Sequence, residues 1–365
     1  MNDDLDLLHT DVEESLRDAV RTLMARRWSP ERGVARYDGD TTDEGLWPAL
    51  SGELGLAGLL VPEGFGGAGG TAREAAVVLE ELGRAVAPVP YLTCAVVAAS
   101  VLVSVGDKEL AGAIADGRVA ALTVPLSAKP GGPPSPVTVA GDGRLNGEVR
   151  GVAGALDAEV LIVPVTGAAG TQLWAVERNA VRVTPVTSLD MTRQVADVDL
   201  TGAGGRLLAE GDTAVHAVDD ALELGAALLA SEQVGLAQWC LDITLDYVKT
   251  RRQFGRVVGG FQALKHRLAD LYTQVETARA VARYAAATAA VGDPDRAVAA
   301  SVAQVYCADI AVLAAEECVQ LHGGIAMTWE HPAHLYLKRA KANQLAFGTP
   351  GDHLIRLAPL IDLPA

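Results

Sequence analysis

Apolar positions along the chain fall into three stretches of different period. From Asp11 to about Asp116 they recur on one face of successive helical segments, near 11–27, 43–56, 71–86 and 90–105. The glycine-rich turn Pro62-Glu-Gly-Phe-Gly-Gly67 separates the second segment from the third. From about Val119 to Leu208 short β-branched runs replace them: Val119–Val124, Val137–Val139, Val160–Val165, Leu173–Val176, Val181–Val183 and Val195–Leu200. Gly, Pro, Asp and Asn punctuate these runs, which predicts short antiparallel strands. From about Asp212 the helical period returns in longer segments. Leu241, Leu245 and Val248 share one face, and Leu264, Leu268, Leu271 and Val275 share another. Gly259-Gly260 separates these two helices, and Gly292 and Pro294 separate the second from a third that runs towards Gln320. Long helices with short connections predict an antiparallel bundle. The fold expected is mostly α with an inserted β domain: helical over 1–118, β over 119–211 and a helical bundle over 212–365.

Composition narrows the function classes. With 365 residues, half of them hydrophobic, the chain can bury a large core, and few aromatics favour helical bundles over an all-β fold. The formal net charge of −16 repels phosphate backbones and anionic lipid head groups, so neither nucleic acid nor a membrane surface is expected as a partner. The longest apolar stretch, Leu92 to Val105, is short of the roughly 20 residues of a membrane span. The acidic start Met1-Asn-Asp-Asp lacks the basic and apolar regions of a signal peptide. Cys94, Cys240, Cys307 and Cys318 show no C-x-x-C spacing and are expected as buried apolar residues; no metal site is expected. A soluble cytoplasmic protein is the expectation.

Two basic clusters stand out in so acidic a chain. One comprises Arg251, Arg252, Arg256, Lys265, His266 and Arg267, the other Lys338, Arg339 and Lys341. They read either as helix-end charge and solvated faces or as a grip on a polyanion such as a pyrophosphate or a CoA. Gln320-Leu-His-Gly-Gly324 likewise reads two ways. Its glycines suit a helix C-cap, and they also let backbone N–H groups approach a diphosphate closely.

Taken together and in this order, these motifs resemble the acyl-CoA dehydrogenase family. Arg251-Arg-Gln-Phe-Gly-Arg, Gly260-Phe-Gln262 and Arg267-Leu-Ala-Asp270 look like that family's flavin-binding helix turn. Gln320-Leu-His-Gly-Gly-Ile-Ala-Met-Thr-Trp-Glu-His331 is similar to its second flavin motif. Further likeness lies at Gly55-Leu-Ala-Gly-Leu-Leu-Val-Pro-Glu-Gly-Phe-Gly-Gly67 and Glu80-Glu-Leu-Gly-Arg84, so the resemblance spans nearly the whole chain. It implies FAD, an acyl-CoA thioester as substrate and electron-transfer flavoprotein as acceptor. It further implies α,β-dehydrogenation, in which a carboxylate removes the α proton while hydride leaves the β carbon.

The resemblance divides the site residues into two groups. Arg251, Gln253, Phe254, Gln320, Gly323 and Gly324 match positions that reach a neighbouring subunit's flavin, and all are present. Those around a subunit's own flavin ring and substrate are eroded. The family's Thr-Glu-Pro-x-x-Gly-Ser-Asp motif reads Thr123-Val-Pro-Leu-Ser-Ala-Lys129. Its Trp-Ile-Thr strand reads Gly151-Val-Ala153. Its Tyr-Glu-Gly-Thr reads Ala346-Phe-Gly-Thr349, which keeps Thr349 for the cofactor but puts Phe347 where the catalytic glutamate belongs. The other base position known in the family falls on Gly225, with Glu223 and Glu232 nearby and Asp219 and Asp220 weaker candidates.

This pattern resembles the base-lacking subunits of heterotetrameric (α2β2) acyl-CoA dehydrogenases of actinobacteria, several of which act on CoA thioesters of sterol side chains. It implies a homologous partner subunit that supplies the base. Leu345-Ala-Phe-Gly-Thr-Pro-Gly-Asp-His-Leu-Ile-Arg356 fits that subgroup. Two other readings stay open: a self-sufficient homotetramer with its base relocated to Glu223 or Glu232, and a non-catalytic binding or scaffold protein that keeps only the fold.

Overall fold

A computed structural model describes residues 5–36, 45–167 and 170–363. The amino-terminal helices are α1 (Asp11–Arg27), α2 (Ala72–Ala85), α3 (Tyr91–Ser104) and α4 (Lys108–Ala115). The first two begin on capping boxes. Thr10 with Glu13 and Thr71 with Glu74 satisfy each other's backbone N–H groups. The segment expected near 43–56 is helical over Leu46–Pro48 and Ala49–Glu53; its first two positions lie outside the described residues.

Nine strands follow: β1 (Ala120–Leu122), β2 (Thr138–Val139), β3 (Leu145–Asn146), β4 (Glu148–Ala153), β5 (Val160–Gly167), β6 (Gly170–Glu177), β7 (Arg182–Val186), β8 (Val195–Asp199) and β9 (Arg206–Glu210). They form two sheets among the described residues, one ordered β3-β2-β5-β6-β9 with β1 also on β5, the other β4-β8-β7. The expectation of wholly antiparallel strands is corrected here. β1 and β2 both run parallel to β5, one after the other along its free edge, because β6 occupies the other edge throughout. Strand β5 is buried on both faces, which explains its unbroken apolar run. Val160 and Ile162 join the core shared with the helices, while Leu161, Val163 and Val165 pack with Val149, Val152, Ala196 and Val198 between the sheets.

The carboxyl-terminal helices are α5 (Asp212–Thr250), α6 (Gln262–Val291), α7 (Arg296–His322), α8 (Ala333–Leu345) and α9 (Pro350–Leu360). Their core is rich in alanine, which lets backbones approach closely; Trp239 stacks on Tyr336 at 3.6 Å between ring centroids. Helix α2 crosses α5 closer still. A Cβ on Gly235 would lie 1.9 Å from the Glu80 carbonyl oxygen, and one on Gly83 would lie 2.2 Å from that of Glu232. Leu92–Val105 is not the longest apolar stretch. Arg296–Met327 is long and apolar enough by length and composition to cross a membrane, yet 61% of its apolar window is buried in the protein. All four cysteines are buried and free.

Candidate functional site

The residues matched to a neighbour's flavin lie together on the outside of the bundle's connections. Between α5 and α6 the chain makes a small hairpin, Arg252–Gln253 against Arg256–Val257, that exposes Arg251, Gln253 and Phe254. The Arg251 guanidinium has no hydrogen bond or ion pair with any described residue. Phe254 is 88% exposed and held at φ 53°, with only an edge contact to Phe261 at 6.0 Å.

At the end of α7, Gly323 is the C-cap at φ 67°, so the cap reading of the double glycine is correct. No heavy atom stands within 4 Å of a Cβ built on Gly323 or Gly324, so both backbones are open to an approaching diphosphate. Gln320 is exposed beside them, as are Ile325, Met327 and Trp329. An unpaired guanidinium, exposed amides and uncovered glycine backbone suit the pyrophosphate end of FAD.

Not every basic residue belongs to that surface. Arg267 is paired with Glu317 at 2.6 Å and Lys341 with Glu316 at 3.1 Å. Lys338 lies 4.1 Å above the Trp329 ring. Arg339 is buried, with Asp190 at 2.5 Å, Glu232 at 3.0 Å and Thr192 at 2.6 Å. The second cluster is therefore an internal ion-pair network and a solvated face rather than a polyanion grip.

The self-facing segments close on one another. The Leu126 N–H donates to the Gly151 carbonyl at 2.9 Å, and the Phe347 N–H donates to the Leu126 carbonyl at 2.9 Å. The three motifs that would surround a flavin ring are thus joined backbone to backbone. Phe347 is buried and held at φ 54°, and its carbonyl accepts from His353 Nε2 at 2.9 Å. Gln304 Nε2 gathers the Asn343, Ala346 and Gly348 carbonyls around it. The Phe347 ring fills the space beside Gly225: a Cβ there would lie 3.1 Å from Phe347 Cζ and 3.1 Å from Val97 Cγ2. The ring of Phe347, which stands where the family resemblance expects the catalytic glutamate, thus crowds the side-chain space of Gly225, the other position so expected. Thr349 caps α9, its hydroxyl bonded to Asp352 Oδ2 at 2.7 Å. These residues offer a flavin ring no stacking aromatic and a thioester no base.

Neither nearby glutamate is free. Glu223 is held between Arg296, at 3.1 Å, and Arg356. Glu232 accepts from Arg193 at 2.5 Å, Arg339 at 3.0 Å and Asn343 at 2.9 Å. Burial would raise its pKa, but the Arg193 and Arg339 charges and the Asn343 and Arg193 hydrogen bonds outweigh that and hold it at about 2. A carboxylate so stabilised is a poor proton acceptor. Asp220 pairs with Arg296 at 3.0 Å, and Asp219 accepts from the Gly131 N–H at 2.9 Å. Arg193 and Asp190, the strand-side half of the Glu232 network, went unremarked in the sequence; no local pattern joins them to a helix far along the chain.

Comparison with known proteins agrees with this architecture. Residues 10–114 match the model for the acyl-CoA dehydrogenase N-terminal domain and residues 215–358 that for the C-terminal domain. The chain is 38% identical to the acyl-CoA dehydrogenase IpdE2 of Mycolicibacterium smegmatis over 95% of its own length and 98% of that protein's. Among solved structures it superposes on a chain of the ChsE4–ChsE5 complex from Mycobacterium tuberculosis with a TM-score of 0.85 and 28% identity, covering 99% of this chain and 100% of that one. Against the Tcur3481–Tcur3483 steroid ACAD the TM-score is 0.85 at 30% identity, over 96% of this chain and 98% of that one.

Proposed function

The chain belongs to the acyl-CoA dehydrogenase family, whose members are FAD-dependent flavoproteins, and from that premise we propose that it is the flavin-sharing, base-lacking subunit of a heteromeric enzyme. One observation carries the proposal: Phe347 is buried beside Gly225, where the resemblance expects the base, while Arg251, Gln253 and Gln320 are exposed and Arg251 has no partner among the described residues. Arg251 would pair with the pyrophosphate through its planar fork, Gln253 and Gln320 would offer amides, and Gly323 and Gly324 would offer backbone N–H groups. Phe254 would pack on the partner. A homologous partner subunit would supply the ring pocket and the carboxylate that takes the α proton of an acyl-CoA thioester. Bound FAD supplies the hydride acceptor, and electron-transfer flavoprotein would serve as the onward acceptor. The likeness to chains of the ChsE4–ChsE5 complex and of a steroid ACAD supports an α2β2 assembly and a steroid side-chain CoA ester as substrate.

Co-expression with a homologous chain that retains the glutamate tests the proposal. The complex should be yellow, with one FAD per unlike pair, and this chain alone should be colourless or insoluble. A purified homo-oligomer with one FAD per chain that oxidises acyl-CoA would refute it.

A further inference from the structure

The residues suited to a dinucleotide's diphosphate stand at the ends of two separate helices. Arg251 follows the last residue of α5, and Gly323 and Gly324 follow the last residue of α7. One diphosphate can meet the guanidinium and the glycine N–H groups together only if these two ends keep a fixed spacing, and helix ends are where chains fray. Three aromatic rings lie in a row across the gap. Tyr247, one turn before Arg251, stacks on His322 with ring centroids 4.4 Å apart and planes 28° from parallel. His322 in turn meets His331 at 4.7 Å, and His331 closes the far side of the segment that carries both glycines.

Each ring is tied to the backbone it serves. His322 Nδ1 lies 2.8 Å from the Cys318 carbonyl, which can only accept, so this nitrogen carries the proton and the ring is oriented by its own helix. Cys318 Sγ stands 3.6 Å from the same nitrogen. His331 Nδ1 accepts from the Ala333 N–H at 3.2 Å, where α8 begins. On α5 the Arg251 N–H donates to the Tyr247 carbonyl at 2.8 Å, and the Val258 N–H donates to the Arg251 carbonyl at 2.8 Å, so the Arg251 backbone follows Tyr247. His322 is buried and acts behind the diphosphate surface rather than on it.

We propose that Tyr247 and His322 are positioning residues, whose stack sets the spacing between the Arg251 guanidinium and the Gly323–Gly324 backbone. The proposal rests on the flavin-diphosphate role given to those residues above. With the two helix ends already joined ring to ring, ligand binding does not have to order them.

FAD titration of the complex with the homologous partner, followed by flavin fluorescence, tests this in a double-mutant cycle. Tyr247→Leu removes the ring and should weaken FAD about twofold to tenfold, the range of an aromatic pair. Tyr247→Phe keeps the ring and should restore the parent affinity. Should Tyr247→Leu fail to fold, His322→Gln removes the same stack from the other side and keeps a donor for the Cys318 carbonyl. In the Arg251→Ala background the Tyr247→Leu loss should shrink, because a ring that acts by placing Arg251 has nothing left to place. An undiminished loss in that background, a loss with Tyr247→Phe equal to that with Tyr247→Leu, or no loss with Tyr247→Leu would each overturn the proposal. If Arg251→Ala alone leaves FAD affinity unchanged, the diphosphate assignment itself falls, and the positioning role with it.

Discussion

Replacing Glu232 by Gln keeps the size of the side chain and removes the negative charge between two arginines. In the folded chain Arg193, Arg339 and Asn343 bind this carboxylate in the interior, and its pKa is about 2 against an ordinary 4.5. That depression corresponds to about 3 kcal/mol of stability at neutral pH. Leaving two buried guanidinium groups short of an anion puts the loss at about 3–5 kcal/mol. The sign with pH follows from the direction of the shift. The folded state favours the deprotonated carboxyl, so the stabilisation is full above about pH 4.5 and is lost as pH falls towards 2. Guanidinium unfolding of parent and variant at pH 7, and at steps from pH 5 to pH 3, measures this. The variant should be the weaker at pH 7, and the two curves should converge on acidification. A variant within about 0.5 kcal/mol of the parent at pH 7 would remove the reasoning, since that is the scatter of neutral surface changes. Lost dehydrogenase activity at unchanged stability would instead restore Glu232 as a base.

Arg251→Ala in the purified complex should weaken FAD binding by about tenfold to a hundredfold, as expected for a charge-assisted contact, measured by flavin fluorescence on dilution; unchanged flavin content would favour a scaffold that keeps only the fold. Gly225→Ala should cost about 1–3 kcal/mol by overpacking against Phe347 and Val97, and Phe347→Ala about 3–5 kcal/mol by leaving a cavity. In the double variant the new methyl occupies space the ring has left, so the cost should fall below the sum of the two; strict additivity in thermal unfolding would show that the two positions do not share one space.

Much of the outline was legible because it depends on local period and local chemistry. The punctuation at Gly259-Gly260 and Gly292 and the run Val160–Val165 each specify their own element. Three strands of the β domain fall outside the predicted runs, the two-residue Leu145–Asn146 among them. Glu148–Ala153 contains Arg150 and Gly151, and Arg206–Glu210 is a mostly exposed edge, so neither shows the clear apolar run that marks the other strands. The parallel pairing of β1 and β2 with β5 was equally invisible, since single-strand period carries no direction. In the candidate site, phenylalanine at position 347, where the resemblance expects a glutamate, was a matter of residue identity and could be read directly. The fate of Glu223 and Glu232 could not, because their partners are remote in sequence: Arg296 and Arg356 for one, Arg193 and Arg339 for the other.

By itself the sequence determined the helix–strand–helix order, the family resemblance and the presence of phenylalanine at position 347, where that resemblance expects a glutamate. These follow from residue type and from spacing within one element. Only the tertiary structure decided that the Phe347 ring occupies the space beside Gly225, that Arg339 serves a buried carboxylate network rather than a ligand, and that Arg251 is left without a partner among the described residues. Whether a charge is free or spent depends on what lies within a few ångströms of it, and chain folding brings those neighbours from far away in sequence.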